Sequence, residues 1–139
     1  MIDNRKDENM KIIVGYDGSD VGRRALLLAR DHARAFTGKV YVLTSLPGGP
    51  QESLEDIQKA EAELEYAENL LKGDNIPCEV HLLIRGLTPG EDLVEFANEK
   101  EADEIIVGIE KKSKVGKFIF GSNAQYVILE ARCPVMTVK

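Results

Sequence analysis

The sequence predicts a doubly wound α/β fold, with a five-stranded parallel sheet covered by helices on both faces. Short apolar runs typical of buried strands alternate along the chain with longer segments of helical periodicity. Each connection between successive strands is long enough for the right-handed crossover that parallel strands require. The length of 139 residues fits one domain, and the 43% of hydrophobic residues are enough for its core.

The first third of the chain predicts a strand, a helix and a second strand. Residues 11–16 (KIIVGY) form an apolar run, and the helix over 21–36 begins after a cap at Ser19 or Asp20. Its apolar positions share one face: Val21, Ala25, Leu28, Ala29, Ala33 and Phe36. Gly38 follows the helix, and residues 40–46 are the second strand.

The middle of the chain predicts a long helix and a third strand. The turn sequence PGGP at 47–50 precedes a helix over 52–72, which Gly73 ends. The apolar stripe of this helix consists of Leu54, Ile57, Leu64, Ala67 and Leu71. Residues 79–84 are the third strand.

The last third predicts two further helices and strands. Thr88 and Glu91 flank a proline in a capping box, so a helix begins there and runs to about residue 100. Residues 104–107 are the fourth strand and 134–138 the fifth. Between them, Ser122 with Gln125 three residues later predicts a second capping box, for a helix that ends near residue 131.

Composition excludes several functional classes. The net charge of −6 argues against binding to nucleic acids or anionic membranes, and no apolar run approaches a membrane span. Residues 1–9 are charged and lack the apolar core of a signal peptide, so we expect a disordered tail before a domain over 10–139. Cys78 and Cys133 form no disulfide framework, which favours a reducing cytoplasm.

The most informative segment is the glycine- and lysine-rich connection from Gly108 to Ser122. It has no clear helical or strand pattern, and loops of this length in compact domains are usually functional. Its lysines suggest an anionic ligand: Lys111, Lys112, Lys114 and Lys117. The Gly121-Ser122 step at a predicted helix N-terminus is suited to phosphate binding. The alternative is that Ser122 only caps its helix and that the lysines are solvated.

A second candidate site is Asp17-Gly18-Ser19, directly after the first strand. Open parallel sheets bind ligands beyond the carboxyl ends of their strands, where the strand order reverses. If strands one and four are neighbours, Asp17 and Gly108 meet there, and the carboxylate is available to a ribose hydroxyl or a base. The alternative is a local turn, since Asp, Gly and Ser are all common turn residues.

Catalytic and metal-binding patterns are not evident in the sequence. His32 lies within the first predicted helix and His81 within the third strand, and neither neighbours a nucleophile motif. The spacing of the histidines and cysteines matches no metal site.

The motif VGYDGS (residues 14–19) and the segment from 106 to 138 together resemble the universal stress protein family. The family pattern in the second segment is a glycine, two residues, a glycine, nine residues, and a glycine followed by Ser or Thr. This sequence has Gly108, Lys111 and Gly121-Ser122 at those points, and its CPVMTV ending also resembles the family.

The resemblance implies strand order 3-2-1-4-5, a role in the stress response and a homodimer joined through the last strand, 134–138. Some family members bind ATP, and the resemblance implies ATP or AMP as ligand here, with Mg or Mn only as its counter-ion. The positions that the resemblance assigns to the nucleoside are Asp17, Ser45 and Val107. Those that it assigns to the phosphates are Gly108, Gly121, Ser122, Asn123 and Ala124.

Lys111 is the one departure from the family pattern, because it replaces a glycine that allows backbone to approach phosphate. Its ammonium group could contact a phosphate oxygen, so we include it among the nucleotide-binding positions. A nucleotide-free dimeric adaptor is the alternative that Lys111 supports. A slow ATPase is a third possibility, although no residue is an obvious base to orient water.

Overall fold

A computed structural model describes residues 9–110 and 121–139 and confirms the predicted fold class. Five parallel strands in the order β3-β2-β1-β4-β5 alternate with four helices. The strands are β1 (Met10–Gly15), β2 (Gly38–Ser45), β3 (Cys78–Leu83), β4 (Glu104–Gly108) and β5 (Val135–Val138). The helices are α1 (Asp20–Phe36), α2 (Leu54–Gly73), α3 (Pro89–Lys100) and α4 (Ser122–Glu130). The predicted disordered tail, apart from residue 9, and Lys111 lie outside the described residues.

The alternation of side chains along the central strand divides the core into two layers. Ile12 and Val14 of β1 pack with α1 and α2 on one face of the sheet. Ile13, between them, points to the other face, where it packs with α3 and α4. All three side chains are fully buried, as expected for a parallel sheet covered on both faces.

Helix starts follow the predicted caps at two of the four helices, α1 and α3. Ser19 accepts a hydrogen bond from Gly22 N at the start of α1, and Thr88 forms the predicted capping box with Glu91. Ser53 forms a further capping box with Asp56, which is why α2 begins at Leu54 rather than at the predicted residue 52.

Three predictions about individual side chains are wrong. Phe36 and Leu54 are predicted to lie on apolar helix faces, but 63% and 70% of their surfaces are exposed, and each is the terminal residue of its helix. Ser122 does not cap α4: it is the first helical residue, Gly121 is the N-cap, and no side chain makes a cap hydrogen bond in the described chain.

The end of β4 lies against the backbone of α1, and only glycine fits there. A β-carbon on Gly108 would lie 2.7 Å from both the carbonyl carbon and the oxygen of Val21. The absence of a side chain at Gly108 is therefore required by packing, whatever its role toward a ligand. Among residues 9–110 and 121–139, no helix combines the length and apolar character needed to cross a membrane.

We predict that Gly108→Ala lowers the free energy of unfolding by about 1–3 kcal/mol, because the new methyl group overpacks the α1 interface. Gly73→Ala is the matched control, since no atom lies within 4 Å of a β-carbon built there and alanine favours helices. Urea titration followed by circular dichroism measures both. Equal stability of the Gly108 variant and the wild type would contradict the close packing.

Candidate functional site

A cleft of about 250 Å³ opens at the carboxyl ends of the central strands β1, β2 and β4. The order of the strands reverses at this point, since β1 leads by α1 to β2 on one side and pairs with β4 on the other. The N-terminal residues of α1, α3 and α4 complete the lining. This is the position at which open α/β sheets bind ligands.

The inner wall of the cleft is apolar. Leu43 and Val107 come from the ends of two strands, and Leu93 and Val127 come from the helices that cover the same face of the sheet. All four side chains are buried. The wall can accept a flat apolar group, and polar groups surround it.

Asp17 forms a tight turn at one side of the cleft. Its Oδ1 accepts a hydrogen bond from Ser19 N at 2.9 Å, so the local turn considered in the sequence analysis does form. The carboxylate is nevertheless exposed and lines the cleft. Among the described residues its other oxygen, Oδ2, has no hydrogen-bond partner. One carboxylate oxygen of Asp17 therefore shapes the turn, and the other is available to a ligand.

The loop after β1 is fixed to the end of β2. Thr44 is buried, and its hydroxyl donates to the carbonyl oxygen of Tyr16 at 2.7 Å. The Tyr16 phenol donates in turn to Glu63 on α2, at 3.3 Å. Burial raises the pKa of Tyr16, which keeps this phenol protonated as a donor.

A buried carboxylate lies at the β2 side of the cleft. The side chain of Asp92, in the first turn of α3, is 1% exposed. The Ser45 hydroxyl donates to its Oδ2, and the Arg85 Nε–H donates to its Oδ1 at 2.9 Å. The sequence analysis selected Ser45 but missed Asp92. The helical spacing contained the signal, because Asp92 lies four residues before the buried Phe96 and therefore shares its face.

The starts of α3 and α4 are in direct contact. Gly90 N donates to Asn123 Oδ1 at 3.0 Å, and a β-carbon on Gly90 would lie 3.0 Å from the Asn123 carbonyl oxygen. Asn123 thus satisfies one of the unpaired N–H groups of α3. Within the described part of the chain, no side chain caps the first N–H groups of α4, whose N-cap is Gly121. The positive end of the α4 dipole is therefore free to attract an anion.

The charges around the cleft favour different ligand groups at its two ends. Asp17, Asp92 and Glu110 line it, and the described part of the lining contains no basic side chain. Carboxylates accept hydrogen bonds from hydroxyl and amino groups but repel phosphates. Within residues 9–110 and 121–139, the start of α4 is the part of this region that favours a phosphate. No group of three potential metal ligands occurs within residues 9–110 and 121–139.

Six of the nine residues selected from the sequence line this one cleft: Asp17, Ser45, Val107, Gly108, Asn123 and Ala124. Gly121 and Ser122 are exposed at the start of α4 and are not part of the described lining. Lys111 lies outside the described residues, so its predicted contact with phosphate stays a prediction. The structure thus brings the end of β1, the end of β2 and the start of α4 together.

The fold and the cleft define a doubly wound α/β protein with a ligand-sized opening at its switch point. Comparison with known proteins gives the family, since the sequence profile of the Universal stress protein family matches residues 8–139. A universal stress protein of Methanocaldococcus jannaschii is 31% identical over 97% of this chain and 86% of its own length. The chain therefore belongs to the universal stress protein family.

Two solved structures of the family are similar to this chain and contain nucleotides. A universal stress protein from Archaeoglobus fulgidus, solved in complex with dAMP, is 40% identical, with a TM-score of 0.81. The match covers 94% of this chain and 98% of that one. A second universal stress protein, solved with cAMP, is 27% identical over 94% of this chain and 96% of its own, with a TM-score of 0.73.

Proposed function

We propose that this protein binds an adenine nucleotide, AMP or ATP, in the cleft at the carboxyl ends of β1, β2 and β4. The observation that carries the proposal is the combination of an apolar slot with an uncapped helix N-terminus at one switch point. The relative that is 40% identical and was solved with dAMP supports the choice of an adenine nucleotide. The cleft volume of about 250 Å³ is just below the range of roughly 300–1,000 Å³ for small-molecule sites, which suits a nucleoside with its phosphates at the mouth.

The charge distribution orients the nucleotide. The phosphates lie at the start of α4, where the N–H groups of Ser122, Asn123 and Ala124 face an anion. The ribose lies beside Asp17, whose free oxygen accepts from a hydroxyl. The base then points toward β2. The distance from β4 to β2 is two strand spacings, or about 10 Å. It packs on Val107 and Leu43.

The lysines predicted from the sequence to favour an anion follow Glu110 and lie outside the described residues, so their contact with a triphosphate stays a prediction. A divalent ion such as Mg or Mn would enter only as the counter-ion of that triphosphate. The proposed role is binding alone, and we propose no hydrolytic role for the carboxylates that line the cleft. The bound nucleotide acts as a regulatory ligand of a cytoplasmic stress-response protein.

The edge strand β5 is the proposed dimer interface. The carbonyl oxygens of Pro134 and Val138 accept from Ile105 N and Ile109 N of the β4 side. In a parallel ladder the residues between them, Val135 and Thr137, therefore direct their N–H and C=O groups outward. Exposed apolar side chains lie on the same strand and the preceding helix: Ile128, Leu129 and Met136. A two-fold axis would pair two β5 strands antiparallel and cover this surface.

We predict that AMP binds the intact protein and that Asp17→Ala weakens it by about tenfold, through loss of a hydrogen bond to a charged group. Asp31→Ala is the matched control, because this exposed aspartate lies toward the far end of α1 and pairs with Arg30. Isothermal titration calorimetry measures all three affinities. An absence of binding at millimolar AMP or ATP would overturn the proposal and favour the nucleotide-free adaptor.

We predict that Thr137→Pro converts a homodimer to a monomer, because proline removes an outward N–H while the bonds to β4 remain. Thr137→Val is the control, since it keeps the N–H and favours a strand. Sedimentation velocity gives the mass, and circular dichroism checks that both variants remain folded. A proline variant that stays folded and dimeric would exclude β5 as the interface.

A further inference from the structure

We infer that Asp92 orients the Ser45 hydroxyl as a fixed hydrogen-bond acceptor and that this acceptor selects 6-aminopurine over 6-oxopurine nucleotides. The inference rests on the proposed nucleotide function and adds the group that reads the base. It follows from the burial of Asp92, because an apolar wall alone gives no reason for a buried carboxylate beside the cleft.

The partners of Asp92 all donate to it. Its carboxylate is almost completely withdrawn from solvent and accepts from Ser45 Oγ and from Arg85 Nε. Arg85 supplies the opposite charge from outside the cleft, and the first turn of α3 adds the favourable end of a helix dipole. A buried charge is kept only when it is paired and hydrogen-bonded in this way.

The contact with Asp92 decides what Ser45 can offer a ligand. A hydroxyl has one proton and two lone pairs, and an ionised carboxylate accepts only. The Ser45 proton is therefore committed to Asp92. Because Ser45 also lines the cleft, its lone pairs are what remain for a bound molecule. At the β2 end of the cleft, Ser45 therefore offers a ligand a hydrogen-bond acceptor, and not a hydroxyl that can either donate or accept.

Purine bases differ in the group that would meet this acceptor. The exocyclic amine at position 6 of adenine donates a hydrogen bond, whereas the 6-oxo group of hypoxanthine or guanine accepts one. With a 6-oxo base, two acceptors would face each other, and neither would be paired. Leaving buried polar groups unpaired is what makes such a mismatch costly.

The direct test compares AMP with IMP by calorimetry on the native protein. We expect AMP to bind about tenfold more tightly than IMP, or better. Purine riboside 5′-monophosphate has no substituent at position 6, and its affinity should lie between those of AMP and IMP. Equal affinity for AMP and IMP would overturn this inference and leave the proposed function standing. Binding of neither nucleotide would overturn both.

Two variants test the roles of Ser45 and Asp92. Ser45→Ala removes the acceptor, so AMP should lose about tenfold, whereas IMP, which makes no hydrogen bond with Ser45, should not bind more weakly. In Asp92→Asn the amide oxygen can accept from Arg85 and its NH₂ can donate to Ser45, which frees the hydroxyl proton for the ligand. The ratio of IMP to AMP dissociation constants should then fall by about tenfold.

Glu99→Gln is the control, because Glu99 lies on α3 and near the same arginine, 3.7 Å from Arg85 Nη1, but does not line the cleft. It should leave the ratio unchanged. An unchanged ratio in folded Ser45→Ala would contradict the acceptor role. If Asp92→Asn does not fold, the native ratio and the Ser45 variant decide the question.

Discussion

The pairing of β1 with a neighbour on each side is the constraint on which the rest of the structure depends. Because β2 follows on one side and β4 joins on the other, the connections leaving β1 and β4 diverge at their carboxyl ends. The divergence leaves a gap that the sheet cannot fill. The close approach of Gly108 to Val21 brings α1 against the end of β4 and sets one wall of that gap.

The polar groups of the cleft are held by contacts that do not depend on a ligand. Asn123 joins the start of α4 to that of α3, and Thr44 fastens the loop after β1 to β2. Asp92 is held by Arg85 and itself holds Ser45. Ser45 and Asn123 are thus positioned by protein groups on neighbouring elements. Such a site changes little on binding and loses little entropy.

The sequence predicted the fold well because apolar runs and helix caps act locally. Ser19 and Thr88 cap the helices that their patterns indicated. Tertiary information was needed elsewhere: Phe36 has the right helical phase for burial, but it is the last residue of α1 and is exposed. Ser122 matched a capping motif, yet Gly121 occupies the cap position and the helix N-terminus stays open. That open N-terminus is more favourable to a phosphate than the predicted box.

The cleft residues also divide into those that the sequence predicts and those that only tertiary contacts reveal. The strand end and the family resemblance both indicated Asp17, the resemblance alone indicated Ser45, and the two residues line one cleft with Val107. Asp92 was missed because a charged residue in the first turn of a capped helix is ordinarily solvated. Its burial depends on Arg85, seven residues earlier, and on a strand far away in sequence. Charge pairing across elements is not visible in a local pattern.

The central claim is that an adenine nucleotide occupies the switch point with its base toward β2 and its phosphate at α4. Titrating AMP into ¹⁵N-labelled protein and following the backbone amide resonances tests it most directly. We expect the largest shifts at Asp17, at Ser45 and at Asn123 and Ala124, with the far ends of the strands unchanged. Shifts confined to another surface, or none at millimolar AMP, would contradict the account.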